Sequence, residues 1–286
     1  MIEYPQLNTI PAEYIQQKIK EFLEEDIPDY DKTGEAIFDS NDTTRAIIQA
    51  QEEIVLAGIN LLPYSFENSD IDIFYNDGDF VKKDVIVAAV RASTAEILRK
   101  ERVFLNLLQR MSGIATLTCK YVHIAKAHNV KILDTRKTTP GLRLFEKYAV
   151  CKGGGYNHRM DLSSGILIKD NHIEAAGSIS NAINKIKNKN NNLPIEIEVE
   201  NELQIREALD IGVDGFLLDN MTREQTISAV NLIRNYRGGE DIFIESSGGI
   251  TLKNIKNYVD TGINAISIGA LTHSVKAADI HIEFEK

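Results

Sequence analysis

The chain has 286 residues, enough for one large or two modest domains with a real core, and a composition of ordinary globular character. Its 32 Lys/Arg against 42 Asp/Glu leave a formal charge of −10, which argues against a general nucleic-acid binder with a basic face. Two cysteines without a CxxC string, no long apolar run and a polar start over residues 1–23 point away from a disulfide scaffold, a zinc site, a membrane span or a signal peptide and toward a reducing cytoplasm.

Residues 10–25 place Ile15, Ile19 and Phe22 or Leu23 at helical spacing, so a helix is predicted there, ended by the acidic turn 26–31. A β-rich zone follows. Segments 46–57, 71–75 and 85–90 alternate or run β-branched, and Asn76-Asp77-Gly78 is a turn signal between two of them. Ser93-Thr94-Ala95-Glu96 reads as a capping box opening a helix that carries Ile97, Phe104, Leu108 and Met111 on its apolar stripe, with Arg102 near the edge. Ser112-Gly113 is expected to break that helix before a second helical segment at 114–126. From residue 131 onward short apolar strands alternate with helices: 130–133, 165–168, 195–199, 215–218, 242–244 and 265–268. This spacing is that of β/α units and predicts a parallel α/β barrel. Such barrels close with eight strands, so six leaves either unread strands or an open barrel. An Asn/Lys-rich loop is expected at 185–192.

Charge concentrates in 134–172, with seven Lys/Arg against four Asp/Glu in an otherwise acidic chain. The strings are Asp134-Thr135-Arg136-Lys137-Thr138-Thr139-Pro140-Gly141, Gly153-Gly154-Gly155-Tyr156-Asn157-His158-Arg159 and Ile168-Lys169-Asp170-Asn171-His172. Arginine forks match carboxylates and phosphates, and glycine lets backbone amides approach them, so the segment reads as a site for a multiply charged anion. Each predicted strand also ends in a reactive or phosphate-friendly residue: Asp134 with Arg136 and Lys137, then Lys169, Glu198, Asp219, Glu245 before Ser246-Ser247-Gly248-Gly249, and Gly269. In an α/β barrel those strand ends converge on one face.

Ile195-Glu196-Ile197-Glu198-Val199-Glu200 alternates where a buried parallel strand should be continuously apolar. Glu196 and Glu198 are therefore expected at the barrel mouth, partnered by cations or a metal. With Lys169 and Asp219 ending the flanking strands, the set suits Mg²⁺ held jointly by protein and phosphate oxygens. The glycines closing the last two strands suit a phosphate seated on backbone N–H groups and a helix N-terminus. His123, His128, His273 and His281 stand apart from any cluster.

Taken together, these strings resemble the quinolinate phosphoribosyltransferase family, over residues 99–286. Leu105-Asn106-Leu107-Leu108-Gln109-Arg110-Met111-Ser112-Gly113-Ile114-Ala115-Thr116 is similar to its interdomain helix, and the motifs above follow the family's order. The resemblance implies an α/β fold with an N-terminal α/β sandwich domain (1–112) and an open parallel α/β barrel (113–274), whose tail 275–286 can pack back on the first. It implies a decarboxylating transfer of phosphoribosyl from phosphoribosyl pyrophosphate to quinolinate in NAD biosynthesis, in a homodimer or hexamer with shared active sites. Position by position, it gives Arg136, His158, Arg159 and Lys169 the quinolinate carboxylates, with Arg102 reaching in from a partner subunit. It gives Lys137, Glu198 and Asp219 the pyrophosphate substrate and its Mg²⁺, and Ser247, Gly248, Gly249 and Gly269 the 5′-phosphate. The family's acidic-Gly-Asp-x-Thr signature survives only loosely at 25–33, Lys152-Gly153 stands for a Cys-Gly, and Ser164 for an Asp.

Two rivals use the same barrel: a Schiff-base aldolase with Lys169 as the amine, and a non-catalytic sensor of a phosphorylated metabolite. A molybdenum-linked branch of the family is a third alternative; retention of both Arg136-Lys137 and His158-Arg159 favours the quinolinate enzyme.

Overall fold

The structure is a computed structural model that describes residues 2–39, 42–189 and 192–285. Its regular elements are α1 (Ala12–Asp26), α2 (Gly34–Ile37), β1 (Thr43–Ala50), β2 (Ile54–Val55), α3 (Leu62–Ser65), β3 (Asp70–Ile73), β4 (Phe80–Val81), β5 (Ile86–Ser93), α4 (Thr94–Ala125), β6 (Lys131–Leu133), α5 (Arg143–Lys152), β7 (Ile166–Ile168), α6 (Asp170–Ala176), α7 (Ile179–Lys187), β8 (Ile195–Val199), α8 (Glu202–Ile211), β9 (Gly215–Asp219), α9 (Arg223–Arg234), β10 (Phe243–Ser247), β11 (Ala265–Ser267), α10 (Ala270–His273) and β12 (Ile280–Phe284). Lys185 to Lys187, expected in a loop, finish α7, and 190 and 191 of that loop lie outside the described residues. Among the described residues no helix is long and apolar enough to cross a membrane. The chain divides into two compact units: Met1–Gln6, Lys120–Thr138 and Gly155–Ala270 form one, and Leu7–Cys119, Thr139–Gly154 and Leu271–Lys286 the other.

The second unit is built on an antiparallel sheet in the order β12-β1-β5-β3. Period-two burial along β1 turns Ala46, Ile48 and Ala50 inward. The single predicted strand 46–57 is β1 and β2, and β2 pairs with β4, a strand the sequence reading misses. Asn76-Asp77-Gly78 does lie between strands, and the Asp77 carboxylate accepts the N–H groups of Gly58 and Ile59 at 2.8 and 2.9 Å. Ser93 caps α4 by accepting the Glu96 N–H at 3.2 Å.

The expected break at Ser112-Gly113 is not there, because α4 runs unbroken to Ala125. Ser112 is buried and its hydroxyl accepts the Ala57 N–H at 3.1 Å. A Cβ on Gly113 would stand 2.3 Å from the Lys276 carbonyl oxygen. The pair lets two other segments lie against the helix, a gain that outweighs the roughly 1 kcal/mol cost of glycine inside a helix. Nearby, Arg110 donates to buried Glu146 through Nε and Nη2 at 2.8 and 2.6 Å, and Nη2 also reaches the Thr139 hydroxyl and the Thr272 carbonyl.

The first unit is the barrel. All six predicted strands form, each within three residues of its expected ends, in one parallel sheet ordered β6-β11-β10-β9-β8-β7. Among the described residues β6 and β7 do not pair with each other, so the barrel is open. Past β6 the chain forms one parallel bridge, Leu133 to Tyr156, which brings the 156–159 loop beside the strand end. Parallel register aligns the carboxyl ends; Ser247, for example, is the partner of Asp219.

Candidate active site

The carboxyl ends of β6 to β11 surround a cleft of about 700 Å³. Arg136, Lys137, His158, Arg159, Lys169, Glu198, Asp219, Ser247, Gly248 and Gly249 all line it. So do Thr135, Asp170, Asn171, Asn220, Glu245 and Ser267, to which the sequence reading gives no ligand role. Gly269 and Arg102 are not among its lining residues. Gly269 lies just past β11, ahead of α10, and Arg102 is exposed on α4 in the other unit.

The cationic flank is held from beneath. Asp134, wholly buried, accepts the His158 N–H at 2.9 Å and the Asn157 side-chain amide at 2.6 Å, which pins the loop carrying His158 and Arg159. His158 Nδ1 accepts the Arg159 N–H at 2.7 Å, so the proton of the neutral ring belongs on Nε2. Arg159 is almost wholly buried and donates to the Gly165 carbonyl at 3.0 Å. Burial first, and then the neighbouring Arg136 guanidinium, pull the Arg159 pKa below its usual value. Arg136 Nε is itself buried with no hydrogen-bond partner among the described residues. Two crowded guanidinium groups, one with a donor to spare, match a ligand bearing more than one carboxylate.

The acidic flank is tied to the lysine. Lys169 Nζ lies 2.5 Å from Glu198 Oε2, so the lysine at the end of β7 is paired with the carboxylate at the end of β8. Asp219 Oδ2 accepts the Asn220 side-chain amide at 2.6 Å, and the Asn220 N–H is donated to the Ser247 carbonyl at 2.9 Å. Gly248 has φ +91°, and a Cβ there would come within 2.1 Å of Asn220 Oδ1, so both backbone and space require glycine. At Gly249 an added Cβ would meet nothing within 4 Å, leaving its backbone open to a ligand. The helix expected after the β10 glycines is only a single 3₁₀ turn, Ile255–Asn257.

Glu196 corrects an expectation. Side chains two apart share one face of a strand but differ in depth by about 6–7 Å. Glu198, nearer the carboxyl end, reaches the cleft, whereas Glu196 is wholly buried one layer below it. There Glu196 Oε2 and Glu245 Oε2 lie 3.3 and 3.5 Å from His158 Nε2. Burial pushes the Glu245 pKa up to about 7; His158 opposes the rise and Glu196 adds to it. The Tyr4 hydroxyl donates to Glu196 Oε2 at 3.1 Å. Nothing in the polar, non-periodic start of the chain signals that contact.

The chain matches known proteins along nearly its whole length. The family model for quinolinate phosphoribosyl transferase, C-terminal domain, matches residues 114–283, and that for the N-terminal domain matches residues 31–112. A probable nicotinate-nucleotide pyrophosphorylase (carboxylating) of Bacillus subtilis (strain 168) is 42% identical over 274 residues, covering 94% of this chain and 93% of that protein. Quinolinate phosphoribosyltransferase (decarboxylating) 2b of Nicotiana tabacum is 37% identical, covering 96% and 83%. The solved nicotinate-nucleotide pyrophosphorylase of Francisella tularensis superposes with a TM-score of 0.92 at 34% identity, covering 99% of this chain and 100% of that one.

Proposed function

Because the chain belongs to the quinolinate phosphoribosyl transferase family, we propose that the cleft is the active site of an enzyme that moves phosphoribosyl from phosphoribosyl pyrophosphate to quinolinate. The reaction is decarboxylating and yields nicotinate mononucleotide, pyrophosphate and CO₂ in NAD biosynthesis. The observation that carries this assignment is a single cleft lined by Arg136 and buried Arg159 together with Glu198, Asp219 and the open Gly249 backbone.

Arg136 and Arg159 receive the two quinolinate carboxylates, with His158 and Lys169 beside them. Arg102 is supplied by a second copy, in a homodimer or hexamer; its exposure on α4 supports that role. Ser247, Gly248, Gly249 and Gly269 seat the 5′-phosphate, and Lys137 faces the departing pyrophosphate. Glu198 and Asp219 are hard oxygen donors too few to cage an ion by themselves, which fits Mg²⁺ completed by phosphate oxygens. When bound, Mg²⁺ supplies countercharge for pyrophosphate. The two cysteines form no disulfide, in keeping with a cytoplasmic enzyme.

With both substrates held, the pyridine nitrogen forms its bond to ribose C1 as the C1–O bond breaks and pyrophosphate leaves with that electron pair. The ring is then cationic. The bond from C2 to its carboxylate breaks, CO₂ departs, and the pair left on C2, stabilised by the adjacent positive nitrogen, takes a proton from solvent. The residues of the cleft need only orient the substrates and balance charge. The test is direct: purified protein with Mg²⁺, phosphoribosyl pyrophosphate and carboxyl-labelled quinolinate should release labelled CO₂ and form nicotinate mononucleotide. No release, or equal use of nicotinate, would overturn the assignment.

A further inference from the structure

We propose that Tyr4 is a positioning residue for the substrate-binding His158, delivered by an amino-terminal segment that enters the open barrel from below the cleft. The inference rests on the function proposed above and adds a residue and a direction of support to it.

Residues 2–6 are built into the barrel. Ile2 is 4% exposed and packs in a core cluster with Leu133, Phe243 and Ala265. Two glycines make the room: a Cβ on Gly215 would stand 2.6 Å from Ile2 Cδ1, and one on Gly165 would stand 2.6 Å from Tyr4 Cε1. Both begin or directly precede a barrel strand, where β-branched residues are otherwise favoured.

From that seat the segment meets His158 in three ways. The Tyr4 ring stacks on the imidazole, with centroids 4.6 Å apart and planes 28° apart. Its hydroxyl donates to Glu196 Oε2, the oxygen that faces His158 Nε2. Gln6 clamps the preceding peptide, accepting the Asn157 N–H at 2.7 Å and donating to the Asn157 carbonyl at 3.1 Å. Burial, reinforced by the Glu196 and Glu245 carboxylates, holds the Tyr4 phenol protonated well above its usual range, so it remains a donor.

Tyr4 does not line the cleft, whereas His158 does. Any influence on the substrate must therefore pass through the imidazole and the carboxylate beneath it. Glu196 Oε1 is buried with no partner among the described residues. Without the Tyr4 hydroxyl, Oε2 would lose a donor as well, and the carboxylate that orients His158 would be freer to turn.

The experiment compares the full-length enzyme with Tyr4→Phe, Tyr4→Leu and, as a control, Glu3→Ala, an exposed neighbour. Tyr4→Phe keeps the ring and the packing, and is expected to raise KM for quinolinate about fivefold to tenfold. KM for phosphoribosyl pyrophosphate should stay at the wild-type value, and the melting temperature should fall by a few degrees, as for any lost buried hydrogen bond. Tyr4→Leu, which also loses the stack, should raise the quinolinate KM further, and Glu3→Ala should change nothing. An unaltered quinolinate KM in Tyr4→Phe would overturn the proposal, as would a parallel rise of both KM values. One readout does not depend on turnover: the His158 imidazole nitrogen resonances, identified by their loss in His158→Asn, should shift in Tyr4→Phe. If the wild type releases no CO₂ and Tyr4→Phe still shows this shift, the assigned reaction is at fault and the positioning stands.

Discussion

Replacing Glu245 with glutamine should remove a pH dependence from stability. Glu245 is wholly buried beside Glu196 and His158, and burial is the largest force raising its pKa from 4.5 to about 7. Between those values the folded protein holds a proton that the unfolded chain releases. The Glu245 contribution is therefore fully present below pH 4.5 and is lost as pH rises through 7. The displacement corresponds to about 3 kcal/mol. Glutamine has nearly the same shape and is neutral throughout, so it mimics the protonated acid. Urea unfolding of both proteins at pH 5, 6, 7 and 8.5 would measure the difference, in which every titration common to the two cancels. The variant should match the wild type near pH 5 and exceed it by about 3 kcal/mol at pH 8.5. Parallel curves, or a variant less stable at high pH, would refute the reasoning that two adjacent buried carboxylates cannot both ionise cheaply.

Arg136→Ala should lower kcat/KM for quinolinate about a hundredfold or more, through loss of charge-assisted bonds to a carboxylate, with melting temperature little changed. Arg110→Ala should cost about 3–5 kcal/mol in urea unfolding, because it leaves the Glu146 carboxylate, which is 0% exposed, without its charged partner. Removing divalent ions with a chelator should stop CO₂ release, and Mg²⁺ should restore it; full activity in chelator would exclude the role given to Glu198 and Asp219.

The barrel was legible because each strand is a short apolar run ending in a polar residue or glycine, a pattern that local chemistry alone enforces. The same chemistry failed at Ser112-Gly113, where glycine answers to the chain at 276–278 rather than to the helix around it. Of the ten predicted residues the cleft gathers, eight were visible because they sit at or just past strand ends, and His158 and Arg159 because they form a cationic pair close behind three glycines. Glu196 misled, since alternation reports which face a side chain takes and says nothing of its depth. Tyr4 was invisible: its partner Glu196 is 192 positions away, and no periodicity in a short irregular segment could announce it.

Gly248 lacks a side chain at the spot where Asn220 lies against it, and Asn220 in turn holds Asp219. The seat proposed for the phosphate and the acidic corner therefore behave as one mechanical part, in which a push on either is felt by the other. An engineer wishing to retune this enzyme toward a different sugar phosphate would have to redesign positions 220 and 248 as a couple.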